Sequence, residues 1–68
     1  MKLEEEFVGN GKQFAKFLQQ MVNQIEGDGL VIRGEKVAMP VQDVEFKISF
    51  KNELGENKLS IKMEWMDG

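Results

Sequence analysis

Two runs near the C-terminus alternate apolar and polar residues: Val44-Glu45-Phe46-Lys47-Ile48-Ser49-Phe50 and Leu59-Ser60-Ile61-Lys62-Met63-Glu64-Trp65. Successive side chains of a strand point to opposite faces, so each run places its apolar residues on one face and its charges and serines on the other. A glycine-containing loop joins the runs. The pattern predicts a β-hairpin with one apolar face, and it leaves the chemistry open.

The register of this hairpin is predicted from charge. If Lys47 lay opposite Lys62, Glu45 would lie opposite Glu64, and like charges directly opposite each other destabilise a sheet. An offset of two residues keeps the same faces and places Lys47 opposite Glu64, closed by the loop 54–57. We therefore expect the offset register.

A helix is expected before the strands, from Lys12 to Glu26. Asn10 and Gln13 have the spacing of a capping box, and Gly27 follows the last apolar residue as a stop. The apolar residues of this segment recur at the spacing of one helical stripe: Phe14, Phe17, Leu18, Met21, Val22 and Ile25. The stripe predicts one buried face that packs on a sheet.

Two further elements complete the predicted fold. The segments 30–33 and 36–39 flank Gly34-Glu35, which suits the central pair of a type II′ turn. Leu3 to Val8 is expected to be a short edge strand, on which the acidic run 4–6 discourages aggregation. A calcium or magnesium site in that run is the alternative, but adjacent side chains of a strand cannot converge on one ion.

These elements predict an α+β fold in a single domain, residues 1–68. One amphipathic helix packs on one face of a four- to five-stranded, mainly antiparallel sheet, in the order β-α-β-β-β-β. A helix of this length is about 22 Å long and cannot cover so many strands spaced about 4.8 Å apart. We therefore expect a homodimer in which two copies share uncovered apolar surface, around Met39, Met63, Trp65 or Met66.

Composition excludes several classes of protein. The chain has 68 residues, 12 acidic and 9 basic, with a net charge of −3, and it contains no Cys, His or Tyr. Disulfide frameworks, thiolate metal sites and the usual general base near neutral pH are therefore absent. We expect a protein that is not an enzyme and that uses no cofactor or metal.

The expected location is the cytoplasm of a prokaryotic cell. No apolar run approaches the ~20 residues needed to span a bilayer, and the first residues carry consecutive acids where a secretory signal would be basic. No membrane partner is therefore expected.

The candidate interaction surface is the outer face of the C-terminal hairpin, together with Trp65. This face gathers Lys47, Lys51, Lys58 and Lys62 around Ser49 and Ser60. Weak nucleic-acid binding is one interpretation, but the aromatic residues point to the opposite face and acidic residues interrupt the lysines. An ordinary solvated face is the other. A planar ligand such as a flavin against Trp65 is a further alternative, since the chain is also similar in size and element order to dodecins.

The chain resembles the amphi-Trp domain, a small prokaryotic module named for amphipathic strands that end on a tryptophan. The resemblance rests on the helix from Phe14 to Gly27, the segment from Leu30 to Pro40 and the ending from Leu59 to Trp65. At the helix start the chain has Asn10-Gly11, where members typically have Ser or Thr followed by acids. The resemblance implies the fold and no activity. Together with the missing catalytic residue types, it leaves a non-enzymatic interaction or assembly module, with an unknown protein partner or self-association, as the expected function.

Overall fold

The computed structural model describes residues 1–27 and 29–67. Its elements are α1 (Gly11–Glu26), β1 (Leu30–Ile32), β2 (Glu35–Val37), β3 (Glu45–Glu53) and β4 (Glu56–Glu64). β1 pairs with β2 and β3 pairs with β4, both antiparallel, in two separate two-stranded sheets. The α+β class is confirmed. The expected single sheet of four to five strands is corrected to two sheets, and the described order is α-β-β-β-β.

The N-terminal segment, residues 3–8, has no strand. A carboxylate oxygen of Glu5 accepts a hydrogen bond from the backbone N–H of Arg33 at 3.0 Å, and the Phe7 ring lies 5.4 Å from the Phe17 ring. The segment is therefore tied to the first hairpin and the helix by side chains. The Arg33 N–H lies in the turn between β1 and β2, so the contact with this hairpin is made by a side chain and not by a strand ladder.

The helix begins as the sequence predicts. The Asn10 side chain accepts from the Gln13 backbone N–H at 2.9 Å, while the Gln13 side chain accepts from the Asn10 N–H at 2.7 Å. This capping box satisfies donors that every helix leaves unpaired at its start. At the other end the Gly27 N–H donates to Asn23 O at 3.0 Å, and the Gln24 side chain accepts from the backbone N–H of Val31 at 3.3 Å.

Both hairpins close through two-residue turns with a left-handed backbone. The φ angles are 52° at Arg33 and 80° at Gly34, and 50° at Leu54 and 82° at Gly55. Positive φ at both central residues is the type I′ geometry, whose twist matches that of paired strands. In the first hairpin the central residues are therefore Arg33-Gly34 rather than Gly34-Glu35, and Leu30 lies opposite Val37.

The same turn geometry corrects the register of the second hairpin. Lys47 lies opposite Lys62 and Glu45 opposite Glu64, which is the arrangement that charge alone disfavours. The loop is Leu54-Gly55, not 54–57. Each like-charge pair neighbours a pair of the opposite sign two residues along, so every charge has an attractive neighbour on its own strand and across the diagonal. The predicted division of residues between the two faces is confirmed, because an offset of two preserves it.

Packing in the structure is open. Among the described residues none is buried, and the chain exposes 6577 Å², whereas a compact monomer of this mass exposes about 4400 Å². The Cα radius of gyration is 13.9 Å, against about 11 Å for a compact domain of this length. The helix contacts β1, but the Cα atoms of β3 and β4 come within 8 Å of no other described helix or strand. The expected helix-covered sheet is thus absent from the described residues.

Candidate interaction surface

The outer face of the β3–β4 hairpin, here called the lysine face, gathers all four predicted lysines. They form two cross-strand pairs, Lys47 with Lys62 and Lys51 with Lys58, with Ser49 opposite Ser60 between them. Glu45 and Glu64 flank this group at the open end, and Glu53 and Glu56 flank it at the turn. Pleating of the two strands positions these side chains, since residues two apart share a face.

Ion pairs along each strand organise the charges. Lys51 Nζ lies 3.4 Å from a Glu53 carboxylate oxygen, and the Lys62 ammonium pairs with the Glu64 carboxylate. The hydrogen bond between Lys62 and Glu64, followed by their mutual attraction, lowers the pKa of Glu64 and raises the pKa of Lys62. Attraction to Lys47 lowers the pKa of Glu64 further. All these side chains are exposed, so the pairs stabilise the hairpin only weakly.

The lysine face carries no net charge. Its four lysines are matched by four glutamates on the same two strands. A surface that binds nucleic-acid backbones needs uncompensated positive charge to displace counterions from phosphates. The arrangement supports an ordinary solvated face rather than a phosphate-binding one.

The opposite surface, here called the apolar face, lies uncovered. Six side chains form it: Phe46, Ile48, Phe50, Leu59, Ile61 and Met63. Phe46 is 83% exposed, Ile48 70% and Phe50 66%. The sequence predicts this face but places most of it against the helix, with uncovered surface expected only around Met39, Met63, Trp65 or Met66. The exposure of the middle of the strands is what sequence reasoning missed.

Trp65 lies at the base of the hairpin and apart from the lysines of the predicted site. It is half-buried and lines an open groove with the residues on either side of the strand ends: Asp43, Val44, Glu45, Met63, Glu64 and Met66. The Gln42 side chain donates a hydrogen bond to Met66 O at 3.2 Å and closes this end of the hairpin. Of the residues expected to be shared in a homodimer, Met39, Met63 and Trp65 are half-buried, while Met66 is exposed.

The described part of the chain contains neither a candidate metal centre nor a helix that could span a membrane. Among residues 1–27 and 29–67, no group of three or more His, Cys, Asp or Glu side chains is arranged to hold a metal ion. Over the same ranges, no helix has the length and apolar character needed to traverse a bilayer.

Comparison of the chain with models of known protein families, with curated proteins and with solved structures finds no match.

Proposed function

We propose that this protein is a non-enzymatic interaction or assembly module that works through the apolar face of the β3–β4 hairpin. The observation that carries the proposal is the exposure of a continuous row of large apolar side chains on a regular two-stranded surface. The chain contains no Cys, His or Tyr, so an enzyme would have to use Asp, Glu, Lys or Ser alone.

The size of the uncovered patch supports the proposal. With about 200 Å² for a fully exposed large apolar residue, the exposed fractions of Phe46, Ile48, Phe50, Leu59 and Ile61 amount to on the order of 600 Å². The largest patch on an ordinary monomer is about 300–600 Å². Covering 600 Å² has a gross value of about 15 kcal/mol at 25 cal/mol per Å². This gross free energy is comparable with the whole free energy of unfolding of a typical domain, about 5–15 kcal/mol. It therefore favours a partner that covers this face.

The shape of the patch also suits a protein partner. An isolated two-stranded hairpin is marginally stable in water, whereas a hairpin packed against another element is stable. Its side chains stand in two parallel rows, and a second sheet packs on such rows at a spacing of about 10 Å. The hairpin is therefore a regular docking surface that lacks its second layer.

Photo-crosslinking in the producing cells tests this proposal. Phe46 is replaced by the photo-reactive residue benzoylphenylalanine, which keeps an aromatic ring on the apolar face. The matched control carries the same residue at Lys47, one position along and on the opposite face. We expect discrete protein adducts from position 46 and few from position 47. Equal labelling at both positions, or none at position 46, would contradict the proposal.

Weak nucleic-acid binding through the lysine face is the second candidate, and one observation favours it. The structure places Lys47, Lys51, Lys58 and Lys62 on one face as two cross-strand pairs, with one pair of serines between them. Binding of a labelled single-stranded oligonucleotide, measured at low and moderate salt, tests it. Retention of such an oligonucleotide by the native chain, with loss on Lys47→Ala, would favour this candidate.

The resemblance to the amphi-Trp domain, a prokaryotic cytoplasmic setting and a role as a single domain stay part of this proposal. They rest on the sequence segments quoted above. A module of this kind requires no cofactor, and its partner is recognised by apolar shape.

A further inference from the structure

We infer that the occupant of the apolar face is a second copy of this chain, with two β3–β4 hairpins packed apolar face to apolar face about a two-fold axis. The inference rests on the proposed function and names its partner. It moves the interface from the base of the hairpin, where the sequence places it, to the middle of the strands.

The missing burial matches what a stable dimer needs. Each chain exposes 6577 Å², an excess of about 2200 Å² over a compact monomer of its mass. Specific, stable interfaces remove about 1200–2000 Å² from two partners together. Two apolar faces of about 600 Å² each supply about 1200 Å², the lower limit of that range. The exposed parts of Phe14, Val22 and Ile25 on the helix stripe can add on the order of 500 Å² for two chains.

The chemistry of the face suits a copy of itself. A two-fold interface brings the same patch together from both sides, so any charge on it would meet its own kind. All six side chains of the apolar face are uncharged, and every charge of β3 and β4 lies on the lysine face. Face-to-face packing therefore buries no ion, and it leaves both neutral lysine faces in water.

The centre of the apolar face shows where two copies would meet. In the register, three cross-strand pairs form this face: Phe46 with Met63, Ile48 with Ile61, and Phe50 with Leu59. Ile48 and Ile61 lie at the centre of the apolar face, so they meet their counterparts in the second copy.

Two other arrangements account less well for the apolar face. Pairing of hairpin edges would extend the sheet but would still expose both faces. Closure onto the chain's own helix would cover the face within a monomer, yet the hairpin approaches no other described helix or strand within 8 Å. Face-to-face packing is the arrangement that removes the exposed patch.

The experiment measures the absolute molar mass of the purified chain by light scattering over a wide range of concentration. We expect a dimer, twice the 7.8 kDa of one chain. Ile48→Lys should raise the dimer dissociation constant by about 100-fold or more, because it buries two unpaired ammonium groups at the centre of the interface. Ser49→Lys, on the lysine face, should leave the dissociation constant within a few-fold of the unmodified chain.

A second measurement does not depend on the folding of the charged variant. The chain has no cysteine, so Ile48→Cys and Ser49→Cys each introduce a single thiol. Under mild oxidation Ile48→Cys should form the disulfide-linked dimer readily, and Ser49→Cys should not. If light scattering shows an assembly larger than a dimer, disulfide formation by Ile48→Cys would still support the inferred contact.

Two results would overturn the inference. One is a mass equal to a single chain at every concentration; the other is equal crosslinking of the two cysteine variants. Failure of the proposed function is distinguishable from both. A monomer whose position 46 crosslinks to a different protein in cells keeps the function and refutes the second copy, whereas a monomer without adducts refutes both.

Discussion

The turn at the tip of the long hairpin gives a sharp test of the structure. Leu54 has a φ of 50°, in the left-handed region that costs an ordinary L-residue roughly 1–2 kcal/mol. Its side chain is fully exposed, so replacing it loses no packing. Asn tolerates this backbone conformation and is favoured before glycine in type I′ turns. Leu54→Asn should therefore stabilise the protein by about 1 kcal/mol, or about 4–8 °C in Tm for a chain of this size.

Thermal unfolding followed by circular dichroism, at one fixed protein concentration, measures this effect. Leu54→Ala is the matched control, because it removes the same exposed apolar group and keeps the backbone cost. Gly55→Ala tests the same geometry in reverse. Its φ is 82° and an added Cβ would meet nothing within 4 Å, so its cost, about 1–2 kcal/mol, comes from the backbone alone. Equal Tm values for the two Leu54 variants, with an unchanged Gly55→Ala, would refute the two-residue turn.

The other predictions concern single hydrogen bonds and one ion pair. Asn10→Ala removes the helix cap and should cost about 1 kcal/mol in urea unfolding, while Asn10→Asp should retain most of the stability. Gln24→Ala frees a backbone N–H of β1 and should cost about 0.5–1 kcal/mol, whereas Gln20→Ala on the same helix should cost less; equal losses would contradict this. Glu64→Gln should lower the free energy of unfolding inside a pH window bounded by the titrations of Glu64 and Lys62. The Glu64 contribution is present above its usual pKa of 4.5 and is lost as pH falls through its lowered folded pKa; the Lys62 contribution is present below 10.5 and is lost as pH rises through its raised folded pKa. The free energies of unfolding of Glu64→Gln and of the unmodified protein should differ most between those pH limits. Added salt should reduce the difference.

Local patterns predict local structure well in this chain. The spacing of Asn10 and Gln13 predicts the capping box, and the apolar stripe predicts a helix whose described start, Gly11, differs by one residue. Alternation in the two C-terminal runs predicts the strands and their faces. Each of these features depends on interactions between residues close in sequence, which the sequence displays directly.

The sequence does not predict the strand registers or the packing of the elements against each other, and the reasons are physical. Charge pairing across exposed strands is worth a few tenths of a kcal/mol, and i, i+2 neighbours offset it, so it cannot outweigh the geometry of a two-residue turn. Arg and Leu rarely adopt the left-handed backbone conformation, so the sequence gives no sign of it at Arg33 and Leu54. The expectation of a single sheet under the helix rests on the need of an apolar face for a cover. That need does not determine whether the cover belongs to the same chain.

The lysine face was found from sequence, including all four of its lysines. Its neutrality depends on which glutamates share the face, and the alternation already reveals this. The prominence of the apolar face could not be inferred, because a monomeric core and an uncovered interface have the same sequence pattern. The sequence analysis joins Trp65 to the lysines in one candidate surface, whereas the structure places Trp65 in the groove at the hairpin base.

The two-residue turns also govern how the chain folds. Both strand pairs join segments that are adjacent in sequence, so neither hairpin waits for a distant segment to arrive. Hairpins of this kind form in about 1–10 μs, and proteins rich in local contacts fold fast. Each strand pair can therefore close from its turn while the rest of the chain is still disordered. In the dimer inferred above, the covering of the apolar face would come last, and it would be the step whose rate depends on protein concentration.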